Sequence, residues 1–501
     1  MLVFENQLQH IEKLCDAGNA QALQTWSLQC AKAEISQSAM AFVHIENYLS
    51  KQRNQLAKSY ECLDALRPMH SAIIDKLHAL IHHDEPLSSH HNTVIRNTIL
   101  ALMKAEVGAY QSIFKQGLET KADDESQAIY LHRALATQLY ALLNRHKLKL
   151  PTPVHYWKNF HQYFSLANHH NLLGFRYCDG SIAWDQRLSI ENLYCLSLLL
   201  GTARLNQLNG KQINSVFEIT CELIALASLA INPSKHENEI AVDISSSRAP
   251  TFNNLISSNE DAVLIYLQVD ELIRSLSSKA NQQSTFIAPL YLHLANAWGE
   301  CSERETRQTA AEEIEVNLEA EDLHFFLSGH QELHEFIGEK AGLSIEYDDD
   351  ENIERLEAQR SSNIFGSGII ECKGELVFDE IPSYVHLKQN YPGDPTASKK
   401  NNYLCKIIDK SHSGYRLEWQ ADSMPAIEIG NYIALLTDAA HNHWAIGEVM
   451  WLHQRDNKNI ETGVSIISHN PIPVAVDVPL KACLHVNFLP ALLLPPSKSK
   501  K

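Results

Sequence analysis

Apolar positions in the first two-thirds of the chain recur every three to four residues. Ile45, Leu49, Leu56 and Leu63 keep this spacing, as do Ile99, Met103, Val107, Tyr110 and Phe114 between polar neighbours. The period puts them on one face of a helix, so residues 1 to about 345 read as almost wholly helical. Lys149-Leu150-Pro151-Thr152-Pro153 interrupts the pattern, because proline lacks a backbone donor and clashes with the turn before it. The break divides an N-terminal helical array, 1–150, from a second, 151–345. Ser258-Asn259-Glu260-Asp261 has the form of a capping box and predicts a helix through Ile265, Val269 and Leu272. Between Asn232 and Asn253, prolines, serines and the strand-like Glu239–Asp243 make a non-helical excursion. No internal period names a repeat family; paired antiparallel helices in a solenoid-like stack or bundle suit the pattern.

Past residue 345 the pattern changes. Residues 346–400 read as a linker, acidic at Glu346–Glu351 and then rich in Gly, Pro and Ser, with short strand-like runs at 369–372 and 375–378. From 401 to 490 the apolar runs are strand-length: Tyr403–Ile408, Tyr415–Trp419, Gly430–Leu436, His443–Leu452 and Glu461–Ile467, split by polar turns such as Asp456–Asn459. This predicts an antiparallel meander or small barrel with Tyr415, Leu417 and Trp419 facing inward. Residues 491–501, with a double proline and a basic end, read as a disordered tail. The expected fold class is therefore a large all-α array followed by a small antiparallel β-barrel.

Charge and cysteine usage narrow the function. A formal charge of −18 argues against binding nucleic acid or an anionic membrane, both of which need cationic surfaces. Glu300–Arg360 holds nineteen acidic residues against five basic, densest at Glu346–Glu351, a run that reads as a solvated linker, the alternatives being an acidic docking segment or a divalent-cation site. The chain begins without a basic-then-apolar leader, and the apolar stretch Ile219–Ile231 is too short to span a bilayer. The ten cysteines are scattered without a C-x-x-C pair, as reduced thiols in a cytoplasmic protein would be.

Asp409-Lys410-Ser411-His412-Ser413-Gly414 carries the ligand chemistry. It reads D-x-S-x-x-G and sits at a turn between two strands, where a carboxylate, a hydroxyl and exposed amides meet. The same residue types also make a plain hairpin turn. Three further elements follow in order: Gly430–Leu436, Trp444–Trp451 with its aromatic ahead of V-x-W, and Gly463–Ile466. Over roughly 400–490 the chain resembles the PilZ family, small β-barrel receptors for cyclic di-GMP; the helical region suggests no named family. The resemblance implies a ligand site at Asp409, Ser411 and Gly414, and a bacterial signalling role with outputs such as motility, type IV pili or surface behaviour.

The family's second ligand element, an R-x-x-x-R whose arginines clamp the phosphates and stack on guanine, is missing from its expected place. No arginine lies between Arg360 and Arg416, and Arg355 and Arg360 are five apart and too far upstream. Lys399 and Lys400 are the basic residues nearest that place, but lysine lacks the planar fork. Arg416, on the same strand face as Gly414, is a partial surrogate, or else a solvated cation beside Glu418. Losing two charge-assisted contacts of about 1.5–3 kcal/mol each would weaken binding by roughly two to four orders of magnitude.

Other chemistry is thin. His330 and His334 stand one helical turn apart, but without a third ligand or an H-E-x-x-H glutamate they predict no metal site. No Walker loop, Rossmann glycine motif or nucleophile elbow is present, nor the cores that make or degrade cyclic di-GMP, so no enzyme is expected. The chain reads as a cyclic di-GMP effector whose helical domain engages a protein partner. The alternative is a degenerate barrel without ligand binding, acting as a protein–protein adaptor.

Overall fold

The computed structural model describes residues 2–30, 34–53, 55–178, 187–233, 239–256, 262–282, 287–299, 306–341, 402–420, 423–455, 459–477 and 488–495. The linker at 346–400, with Lys399 and Lys400, and the basic end of the chain lie outside them. Contacts divide the chain into two units, Met1–Glu303 and Arg304–Lys501.

The first unit is built on helices, among them Ile35–Leu49, Leu56–Ala79, His90–Glu119 and Asp124–Lys147. Local chemistry sets their ends. The Asp123 carboxylate accepts from the Ser126 amide at 2.9 Å, with Asp124 and Glu125 in the first turn and Arg145, His146 and Lys147 in the last. Pro153 starts the next helix, Val154–His169, where its missing donor costs nothing. One hydrophobic core nonetheless runs from Ile11 to Trp298, across the proline break.

The unit is not almost wholly helical, as its period suggested. Ser228–Ala230, Leu264–Gln268, Ile240–Asp243 and Thr251–Phe252 form a four-stranded antiparallel sheet in that order. Ile265, read as helical, lies on a central strand. Ile265, Tyr266 and Leu267 are all buried, and a short apolar run covered on both faces looks alike in either state. The helix follows instead at Asp270–Gln282, burying Leu272 and Leu276. The proposed cap at 258–261 lies outside the described residues.

The second unit contains a closed six-stranded antiparallel barrel. Tyr403–Lys410 pairs with Gly414–Gln420, and the ring continues through Asn459–Ser468, His443–Gln454, Tyr432–Asp438 and Glu313–Asn317 back to Tyr403–Lys410. Gln308–Thr309 adds a short pairing beside Asp409 and Lys410. These first two strands lie inside the stretch read as a second helical array, 151–345, so the barrel does not begin at 401. Ile314 and Val316 point into the barrel while Glu313 and Glu315 are exposed, and their strand closes a gap that would leave two edges unpaired.

Inside the barrel, Trp419 is fully buried and donates its indole N–H to Thr462 Oγ1 at 2.9 Å. The helix Ala320–Leu327 packs on Trp444, with Phe326 stacked at a 5.6 Å ring separation. Ile472–Asp477 and Phe488–Leu493 form a hairpin against this helix. The chain is thus still a strand at 491–493, where a disordered tail was expected.

Candidate functional site

Asp409 lies near the end of its strand, directly across from Arg416. Because Leu417 and Trp419 fill the interior, strand alternation puts Arg416 on the outer face with Gly414 and Glu418. Arg416 is not a solvated cation beside Glu418. Its Nε and Nη2 donate to one oxygen of Glu461 at 3.2 and 2.7 Å, and its Nη1 stands 3.6 Å from Asp409. Hydrogen bonding to Glu461 raises the Arg416 pKa further, so it is a permanent cation.

A second arginine completes the pair on Asp409. Arg307 Nη1 donates to Asp409 Oδ1 at 2.5 Å, from 102 residues earlier in the chain. Thr309, two residues on, pairs with Asp409 in the sheet, which holds this arginine at the site. Sequence reasoning sought the basic element within a few tens of residues of Asp409, but Glu313–Asn317 and two helices intervene before the Asp409 strand. The signal was present, since Arg307 stands just before Glu313-Ile314-Glu315-Val316, an alternating strand pattern. Arg304, three residues before it, lies outside the described residues.

The turn itself is well fixed. The Ser411 amide donates to the Gly414 carbonyl at 2.8 Å, and the Ile466 amide donates to the Ser413 carbonyl at 2.8 Å. Ser411 Oγ stands 3.5 Å from the Gly414 carbonyl and 3.4 Å from Ser413 Oγ, in a partly buried place. Gly414 is required by close approach, because a Cβ there would sit 2.5 Å from the Val464 carbonyl oxygen. The His412 and His469 rings stack 4.9 Å apart beside the turn. On the outer face, half-buried Trp451 lies against Gly463, directly across from Arg416.

The structure thus brings together Asp409, Ser411, Gly414 and Arg416 and adds Arg307. Chemically, such an arrangement can recognise an anion through its guanidinium groups, beside a carboxylate that can accept from a base edge. The Arg307–Asp409 pair is partly exposed, with side chains 41% and 15% accessible. Such pairs contribute only about 0–1 kcal/mol, so an incoming phosphate can take over the arginine at little cost. Among the described residues no three metal-ligating side chains converge. Nor is any described helix long and apolar enough to cross a membrane.

A closed antiparallel barrel with D-x-S-x-x-G at a hairpin, faced by arginines, defines a PilZ-domain protein. Residues 240–473 match the family described as "Cyclic-di-GMP receptor FimW, middle PilZ domain", and residues 21–234 match "Cyclic-di-GMP receptor FimW, N-terminal domain". The helical region, which its own pattern left without a family, is covered by the second match. The chain is similar to the cyclic-di-GMP receptor FimW of Pseudomonas aeruginosa, with 23% identity over 432 residues, 80% of this chain and 69% of that one. No solved structure matches.

Proposed function

We propose that this protein is a cyclic di-GMP receptor, not an enzyme, whose barrel binds the dinucleotide and whose helical unit passes its state to a protein partner. Arg307 on Asp409 carries the reading, since it supplies a guanidinium where the sequence offered only Lys399 and Lys400. Arg307 and Arg416 would meet phosphate or stack on guanine, Asp409 would accept from a guanine edge, and the Ser411 hydroxyl and turn amides would donate to phosphate. The indole of Trp451 offers an apolar wall beside Arg416. Signalling then follows from differential affinity: the ligand favours whichever arrangement of the protein binds it better. A cytoplasmic place suits the free cysteines, and motility, type IV pili or surface behaviour are the outputs in keeping with the PilZ class.

Calorimetric titration of the full chain with cyclic di-GMP at low salt tests the reading. Arg307→Ala and Asp409→Ala should each weaken binding by about tenfold to a hundredfold, the value of a charge-assisted contact of about 1.5–3 kcal/mol. One observation favours the adaptor alternative: Asp409 and Glu461 already neutralise the arginines at the site. Absence of heat with wild type at several hundred micromolar ligand would establish that alternative instead.

A further inference from the structure

Glu461 is an unusual residue for an outer barrel face. Its side chain is only 5% accessible, yet it is ionisable and stands between two arginines. One oxygen accepts from Arg416 Nε and Nη2, and the other faces Arg455 Nη1 at 3.2 Å. Arg455 leaves the barrel at the end of the strand His443–Gln454 and is 62% accessible. The carboxylate therefore lies beneath two guanidinium groups that reach the solvent, and a ligand approaching from outside meets the arginines first. A buried carboxylate between two cations fixes where they stand, because leaving either would strand its charge away from water. Two arginines on the two oxygens of one carboxylate are also held side by side.

We propose that Arg455 is a further phosphate-binding residue of the dinucleotide site, and that Glu461 is the positioning residue that sets Arg416 and Arg455 next to each other. This rests on the receptor reading above and extends it. One phosphate is met from the Arg307 and Asp409 side and the other by the Arg416 and Arg455 pair. A dianionic ligand needs such a spread of charge, and Arg307, Arg416 and Arg455 supply three guanidinium groups along one line of ion pairs through Asp409 and Glu461. Arg455 also makes up the second cationic arm that the missing R-x-x-x-R otherwise leaves vacant.

The test is the affinity of the full chain for cyclic di-GMP at several salt concentrations, for wild type, Arg307→Ala, Arg455→Ala, Arg455→Lys and Glu461→Gln. Arg455→Ala should bind about tenfold more weakly and with a shallower salt dependence. Arg455→Lys should restore the salt dependence but only part of the affinity, because it keeps the charge without the fork. Glu461→Gln should weaken binding, and adding Arg455→Ala to it should cost little more, since the two act as one unit. Arg455 is exposed, so its variants should fold, and a thermal melt without ligand checks this. If Arg455→Ala stays within twofold of wild type, or loses affinity with unchanged salt dependence, Arg455 is no phosphate contact. Tighter binding by Glu461→Gln would make Glu461 a competitor for the arginines and overturn the positioning role. If wild type binds and Arg307→Ala weakens it while Arg455→Ala does not, this inference alone falls. If wild type binds nothing, the receptor reading falls and takes the inference with it.

Discussion

At Gly463 a Cβ would land inside the Trp451 indole, and at Gly414 it would meet the backbone of Val464. Val464 is held in the sheet and cannot yield easily, and the half-buried Trp451 indole would have to swing off the outer face to make room. Gly463→Ala and Gly414→Ala should each destabilise the barrel by about 1–3 kcal/mol, measured by urea unfolding followed through tryptophan fluorescence. Unchanged stability in both would show that the outer face is loosely packed. Gly414 thus reports on the fold before it reports on ligand approach, which is how its sequence reading must be revised. That Asp409, Ser411, Gly414 and Arg416 lie together was legible because eight consecutive residues carry them. The ion pairs that add Arg307, Glu461 and Arg455 to this cluster were harder to read, because they form between parts of the chain that only sheet pairing brings together.

Among the helices, the tightest electrostatic constraint is a buried group of four. Glu46 on Ile35–Leu49 faces His70 on Leu56–Ala79, with Nδ1 2.5 Å from Oε1. His70 Nε2 and Arg67 Nε each stand 3.6 Å from Glu106 on His90–Glu119. Burial pushes the imidazole pKa down, but the Glu106 and Glu46 carboxylates outweigh it and hold it up at about 9. Burial likewise lifts Glu46 to about 7 against the pull of His70. Both groups bind protons more tightly folded than unfolded, so their stabilisation is complete at low pH and is lost as pH rises, for His70 between about 6.5 and 9. Buried His78, lowered to about 4 by desolvation, acts in the opposite sense, but only below its ordinary value. Urea unfolding of wild type between pH 7 and 9 should therefore show falling stability, and His70→Gln should flatten that fall. His70→Ala at pH 7 should cost about 3–5 kcal/mol, because it leaves Glu46 buried without its partner. A pH-independent wild type would remove the charged histidine from this account. None of this was visible in the sequence, where His70 is one histidine among twenty-six. The helices themselves were legible from their period, whereas Leu264–Gln268 was not, because a run buried on both faces has no period to read.

For the whole molecule, the decisive feature is that the barrel is not one continuous stretch of sequence. Its strand Glu313–Asn317 and the arginine Arg307 precede two helices, and the Asp409 strand resumes at Tyr403. A boundary at 401, natural from the apolar pattern alone, cuts the ring open. A fragment of residues 401–495 lacks the strand that pairs with both Tyr403–Lys406 and Ala434–Leu435, so two backbone edges lose their partners. It also lacks the helix Ala320–Leu327, which covers Trp444 and Ile446. Such a fragment should show no cooperative urea transition and should aggregate as its open edges pair between chains. A fragment of residues 304–495 keeps the closed ring, its helical cover and Arg307, and should unfold in one cooperative step with a change in tryptophan emission. The two fragments share every strand from Tyr403 onward, so the comparison tests what the closing strand and its helical cover together contribute. Equal cooperativity would show that Glu313–Asn317 merely lies against a barrel able to stand without it.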